Sequence, residues 1–132
     1  MALRGIPQGV PIGQFNALDG TPVVVNLTTA VSGSSQNGFV ATSDYQIVTT
    51  ADGTNKAITL PDPNKYGGAV GDSFTIVNSA TGQNLSVFPP TGGNISGAGS
   101  NTANTLTNNK VSTYYLVSFT STTSVWTVGA GA

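Results

Sequence analysis

After position 20, apolar and polar residues alternate along the chain in short runs separated by turn formers. Thr21-Pro22-Val23-Val24-Val25-Asn26-Leu27 opens the series with β-branched residues. Tyr45-Gln46-Ile47-Val48-Thr49, Ala57-Ile58-Thr59-Leu60, Ser73-Phe74-Thr75-Ile76-Val77-Asn78 and Leu85-Ser86-Val87-Phe88 follow. Ser112-Thr113-Tyr114-Tyr115-Leu116-Val117-Ser118-Phe119 and Ser124-Val125-Trp126-Thr127-Val128 close it. A two-residue period is the mark of a strand with one face buried. No eleven-residue window carries a helical stripe, and the prevalent Thr, Val, Ser, Asn and Gly are weak helix formers. The pattern predicts an all-β fold, a small antiparallel β-sandwich or barrel built of hairpins, with an extended N-terminal arm.

A repeat reinforces that reading. Tyr45-x-Ile47-Val48 followed by Ala51-x-Gly53-x-Asn55 recurs 29 residues later as Phe74-x-Ile76-Val77 followed by Ala80-x-Gly82-x-Asn84. Each copy runs into a short strand ending at Pro61 or Pro89. The expectation is two similar β-hairpins turning at Asp52-Gly53 and Thr81-Gly82, where glycine supplies positive φ. A third hairpin has Ser121-Thr122-Thr123 near its tip. The Gly-rich stretch from Pro89 to Asn101 is expected to be a long surface loop with one short strand near Ile95.

The first twenty residues differ. Leu3, Ile6, Val10, Ile12 and Phe15 are too apolar for a solvated linker, yet Gly and Pro between them forbid a helix and discourage a central strand. The boundaries drawn are residues 1–20 for an extended arm and 21–132 for a single β domain. The arm reads as a segment ordered by another subunit; the competing reading folds it back on its own domain.

Composition narrows the chemistry. The chain has no His, no Cys and no Glu, and its ionisable groups are five Asp, three Lys and one Arg. General acid–base catalysis normally draws on His or on tuned carboxylates and lysines, so the chain is read as a non-enzyme, with no catalytic residue, metal or cofactor assigned. Asp52, Asp62 and Asn64 are the candidates for a hard cation such as Ca²⁺, but Asp in a turn more often accepts from nearby backbone N–H groups. Tyr66, in a loop of turn formers, is the candidate exposed aromatic, placed to fill an interface pocket or to stack on a sugar. Only 7% of residues are charged, against about 25% in ordinary soluble domains. Such a surface lacks the repulsion that keeps monomers apart and suits a fixed assembly. A net charge of −1 gives no footprint for nucleic acid or anionic lipid. Neither a signal peptide nor a membrane span fits the Pro- and Gly-broken start, so synthesis in the cytoplasm is expected.

The stretch from Ala57-Ile58-Thr59-Leu60-Pro61 to Val128 resembles a theme in tailed-phage virion proteins. A Thr-Leu-Pro strand leads to Gly71-Asp72-Ser73-Phe74-Thr75-Ile76-Val77-Asn78, then a Thr-Gly turn, Leu85-Ser86-Val87-Phe88-Pro89, a Gly-rich loop and a final hairpin closing on Trp126. It looks like head decoration (cement) proteins and like head- or tail-fibre domains. The resemblance implies a homotrimeric β domain without catalytic residues. With the arm, it points to a decoration protein on the outer surface of the virion capsid, with the major capsid protein and its own copies as partners. Leu3, Ile6, Val10, Ile12 and Phe15 would make the contact. The alternative is a receptor- or carbohydrate-binding module of a fibre or spike.

Overall fold

The computed structural model describes residues 24–27, 36–52 and 54–129. The strands are β1 (Val24–Leu27), β2 (Tyr45–Val48), β3 (Ala57–Thr59), β4 (Ser73–Asn78), β5 (Leu85–Phe88), β6 (Asn94–Ile95), β7 (Asn104–Leu106), β8 (Lys110–Phe119) and β9 (Ser124–Val128). One helical turn, α1 (Pro63–Tyr66), lies between β3 and β4. The larger sheet runs β1-β2-β4-β8-β9-β6 and the smaller β3-β5-β7. The all-β, sandwich-like fold expected from the alternation is present. Both sheets are mixed rather than antiparallel throughout, and neither closes into a barrel: β1/β2, β2/β4, β3/β5 and β6/β9 are parallel pairs.

The repeat is present in three dimensions, but its units are not hairpins. In each copy the first strand lies in the larger sheet and the second in the smaller, so β2 with β3, and β4 with β5, form arches across the core. Pairing runs between copies: β2 lies parallel to β4, and β3 parallel to β5. The register shows why the sequence alignment misleads. Ala57 pairs with Ser86, an offset of 29, but Tyr45 pairs with Thr75, an offset of 30. Because side chains alternate faces, a one-residue shift exchanges inside for outside. Phe74 therefore points into the core, whereas Tyr45, its sequence counterpart, is half-buried on the outer face. Gln46 occupies the inward place beside Ile76 and is fully buried. Its Oε1 accepts from Thr42 N at 3.0 Å, which makes a polar side chain tolerable there.

The core between the sheets is formed by Val48, Ile58, Leu60, Phe74, Ile76, Leu85, Val87, Ile95, Leu106, Tyr114, Leu116 and Trp126. Buried polar groups are paired: Trp126 Nε1 donates to Ser124 Oγ at 2.9 Å and the Tyr114 hydroxyl to Asn104 Oδ1 at 3.0 Å. Burial pushes the Tyr114 phenol well above its ordinary pKa. The expected third hairpin is β8–β9, closed by Thr120 N donating to Thr123 O at 2.9 Å. A bulge between Leu116 and Ser118 lets Val117 stand free of a partner. The short strand expected near Ile95 is β6. The helical turn α1 and the strand β7 were not expected.

Candidate functional site

A cleft lies at the end of the sandwich where β2 and β4 begin. Asp62 starts α1: its backbone is extended and its Oδ1 accepts from Asn64 N at 3.0 Å, with Pro63 in the first helical position. Gly67, at φ 72°, ends the turn. The chain then passes close beneath Tyr66. A Cβ on Gly68 would lie 2.6 Å from the Tyr66 ring, so that approach requires glycine.

Tyr66 is 38% exposed. Its hydroxyl donates to Asp72 Oδ2 at 3.1 Å, and the same oxygen accepts from Ala69 N at 2.8 Å. Its ring meets Phe74 edge-on at 5.6 Å, and Phe74 meets Trp126 at 5.8 Å, so the surface aromatic is tied to the centre of the core. Burial, and then the Asp72 carboxylate beside it, hold the Tyr66 phenol well above its ordinary pKa. It keeps its proton at neutral pH and donates it only as a hydrogen bond to Asp72. In front of it opens a cleft of about 810 Å³ whose walls include Thr42, Asp44, Pro61, Tyr66, Asp72 and Phe74. It presents two carboxylates against an apolar, partly aromatic wall.

The second feature is the outer face of the larger sheet. Tyr45, Ile47, Thr75, Val77, Thr113, Val125 and Thr127 share this face with Val111, Tyr115 and Val117, which are 45%, 42% and 48% exposed. Ile47, Val77 and Val111 fall in one row across three strands. Thr75 and Thr113 join hydroxyls at 2.9 Å in the next row. Among the described residues, the outward positions of β2, β4, β8 and β9 hold no Asp, Lys or Arg.

The other sequence candidates separate. Asp52 accepts from Thr54 N at 2.8 Å and Asn55 N at 2.6 Å. Asp62 caps α1, with Asn64 as its own capping partner. Each carboxylate thus serves its own turn. Among the described residues no group of three or more His, Cys, Asp or Glu could hold a metal ion. The arm residues Leu3, Ile6, Val10, Ile12 and Phe15 lie outside the described residues. The loop after β5 is tied down: Gln36 Nε2 donates to Pro89 O at 2.6 Å, and Gly92 N to Asn101 Oδ1 at 2.7 Å. Sequence reasoning missed Asp44 as part of this cleft, since its proximity follows from the β2/β4 pairing, whereas Asp72 reaches Tyr66 within one loop. It also missed the outer face, which the complementary positions of the same alternation could have supplied.

No family model matches the chain, and no curated protein or solved structure shows significant similarity to it.

Proposed function

We propose that this chain is a structural protein of a tailed-bacteriophage particle, a decoration protein that binds the outside of the assembled head and stabilises it. The observation that carries the reading is the uncharged outer face of the larger sheet, with Val111, Tyr115 and Val117 standing out from it. A face of this size without charge gains by being covered, because nothing on it resists the removal of water. Its occupant in this reading is the same face of neighbouring copies in a homotrimer. The N-terminal arms then extend beyond the trimer to the major capsid protein or to adjoining trimers. A subunit that binds only the assembled shell stabilises it by mass action, and three arms on one body raise the effective affinity of each. The phage assignment itself rests on the resemblance of residues 57–128 to virion β domains.

Two measurements test the reading. Antibody labelling of intact particles is expected to show many copies over the head; copies confined to the tail would favour the fibre-module alternative and overturn the decoration role. The paired substitution of Val111→Lys and Val117→Lys places up to six like charges at the centre of the assembly. It is expected to convert a trimer to monomers in sedimentation equilibrium while leaving the far-ultraviolet circular dichroism of the folded chain unchanged. A wild-type chain that stays monomeric at high micromolar concentration would remove the self-association.

A further inference from the structure

We infer that the cleft beside Tyr66 is a socket for the Leu3-Arg4-Gly5-Ile6 segment of a second copy, with the Arg4 guanidinium between the carboxylates of Asp44 and Asp72. The inference rests on the assembly reading above and specifies how copies are linked.

The chemistry of the cleft sets the first constraint. Asp44 and Asp72 line one space of about 810 Å³ together with Tyr66, Phe74 and Pro61. One oxygen of Asp72 is occupied by the Tyr66 hydroxyl and Ala69 N, leaving the other open to a donor. Asp44 is exposed. Two carboxylates on an aromatic and proline wall suit a cation carried between apolar side chains. A planar guanidinium can bridge two carboxylates while stacking on a ring, which an ammonium does less well.

The chain supplies such a group once. Its cations are Arg4, Lys56, Lys65 and Lys110. Lys56 is held in the first arch, where its carbonyl accepts from Ser86 N at 2.7 Å. Lys65 lies on α1 facing Asn37, Val40, Pro90 and Thr91, away from the cleft. Lys110 begins β8 beside Asn78. Arg4, the chain's single guanidinium, stands between the apolar Leu3 and Ile6.

Topology supplies the delivery. β1 is parallel to β2, with Val24 paired to Tyr45. Val24 therefore lies at the end of the sheet where Asp44 stands, beside the cleft. Twenty residues separate Arg4 from Val24, enough to span up to roughly 70 Å when extended. That reach passes beyond the chain's own cleft to that of a neighbouring copy.

The test uses full-length chains and charge reversal. Arg4→Asp and Asp44→Arg are made separately and together, and association is followed by sedimentation equilibrium. Each single variant is expected to associate about tenfold more weakly than wild type. A 1:1 mixture of the two should regain part of the lost association, since contacts between unlike chains then join opposite charges while contacts between like chains stay repulsive. The chain carrying both reversals should regain it alone. Unchanged association in the single variants would overturn the inference, as would a wild type that does not associate. Recovery in the double variant but not in the mixture would show each arm seated in its own cleft, and would overturn it also. The broader reading fails on a different observation, the absence of this chain from labelled phage heads.

Discussion

In the β8–β9 hairpin, Phe119 and Ser124 pair across a four-residue turn. In the arches, strands that pair lie 29 or 30 residues apart, and strands adjacent in sequence do not pair at all. Both regions bury one face of each strand in the same core, but they are assembled differently. The hairpin needs one short loop closure. The arches need two chain segments brought together from a distance before any ladder bond forms. Among the described residues, β6 adds to β9 at one end of the larger sheet and β1 to β2 at the other. The half that is harder to assemble is thus the half that carries the cleft.

The largest expected effect tests whether the hairpin anchors the arches. Trp126 is fully buried on β9 and touches Phe74 of the second arch. Trp126→Ala should cost about 3–5 kcal/mol, read as a shift in the denaturant midpoint with no change in slope. Because Phe74 supports Tyr66, the same variant should also loosen the cleft, seen as faster exchange of the Ala69 amide. A cost below about 1 kcal/mol would mean that the two halves are stabilised independently.

This contrast also explains what could be read from the chain. The hairpin, the strand positions and the all-β class were legible because alternation and local turns act within a few residues. The arches were not, because Tyr45 and Phe74 look equivalent in sequence and the extra residue that displaces them lies in the connection. Eight residues join Val48 to Ala57, and seven join their partners Asn78 and Ser86. β7 is short and polar, Asn104-Thr105-Leu106, with one fully buried side chain to betray it. α1 had a signal in Asp62-Pro63 followed by Gly67, the cap and stop of a one-turn helix. Tyr66 was read as an exposed aromatic; Asp72 reaches it within the same loop, whereas Asp44 arrives through strand pairing that no local pattern encodes.

A smaller effect probes the arches alone. Asn78 ends β4, fully buried, and its amide bridges the two sheets. Its Nδ2 donates to Gln83 O at 2.8 Å and Leu106 O at 3.1 Å, and its Oδ1 accepts from Ala80 N at 3.1 Å. Asn78→Leu keeps the bulk but strands these backbone groups, a loss of about 1–3 kcal/mol. Hydrogen exchange should rise first in β5 and β7 while β8 and β9 stay protected. Equal loosening of both regions would show that the arch and the hairpin open as one unit.

The smallest expected effect concerns the first arch and acid. Asp52 sits in the connection between β2 and β3, where its carboxylate accepts from the N–H groups of Asn55 and Thr54. These bonds, Asn55's foremost, hold its pKa below the ordinary value of 3.8. A folded-state pKa lower than the unfolded one means that the charged form is favoured by folding. That contribution is complete above the unfolded value and is lost as pH falls through the folded one. Asp52 is fully exposed, so water screens the effect and the contribution is small. Asp52→Asn retains an acceptor but no charge. Wild type should therefore be slightly more stable than the variant at pH 6, and the gap should narrow as the pH is taken from about 5 to 2. Differential scanning calorimetry of the pair across that range reads the gap directly. A gap that stays constant would show that the Asp52 charge does not hold the first arch closed, leaving packing of Val48 and Ile58 to do so.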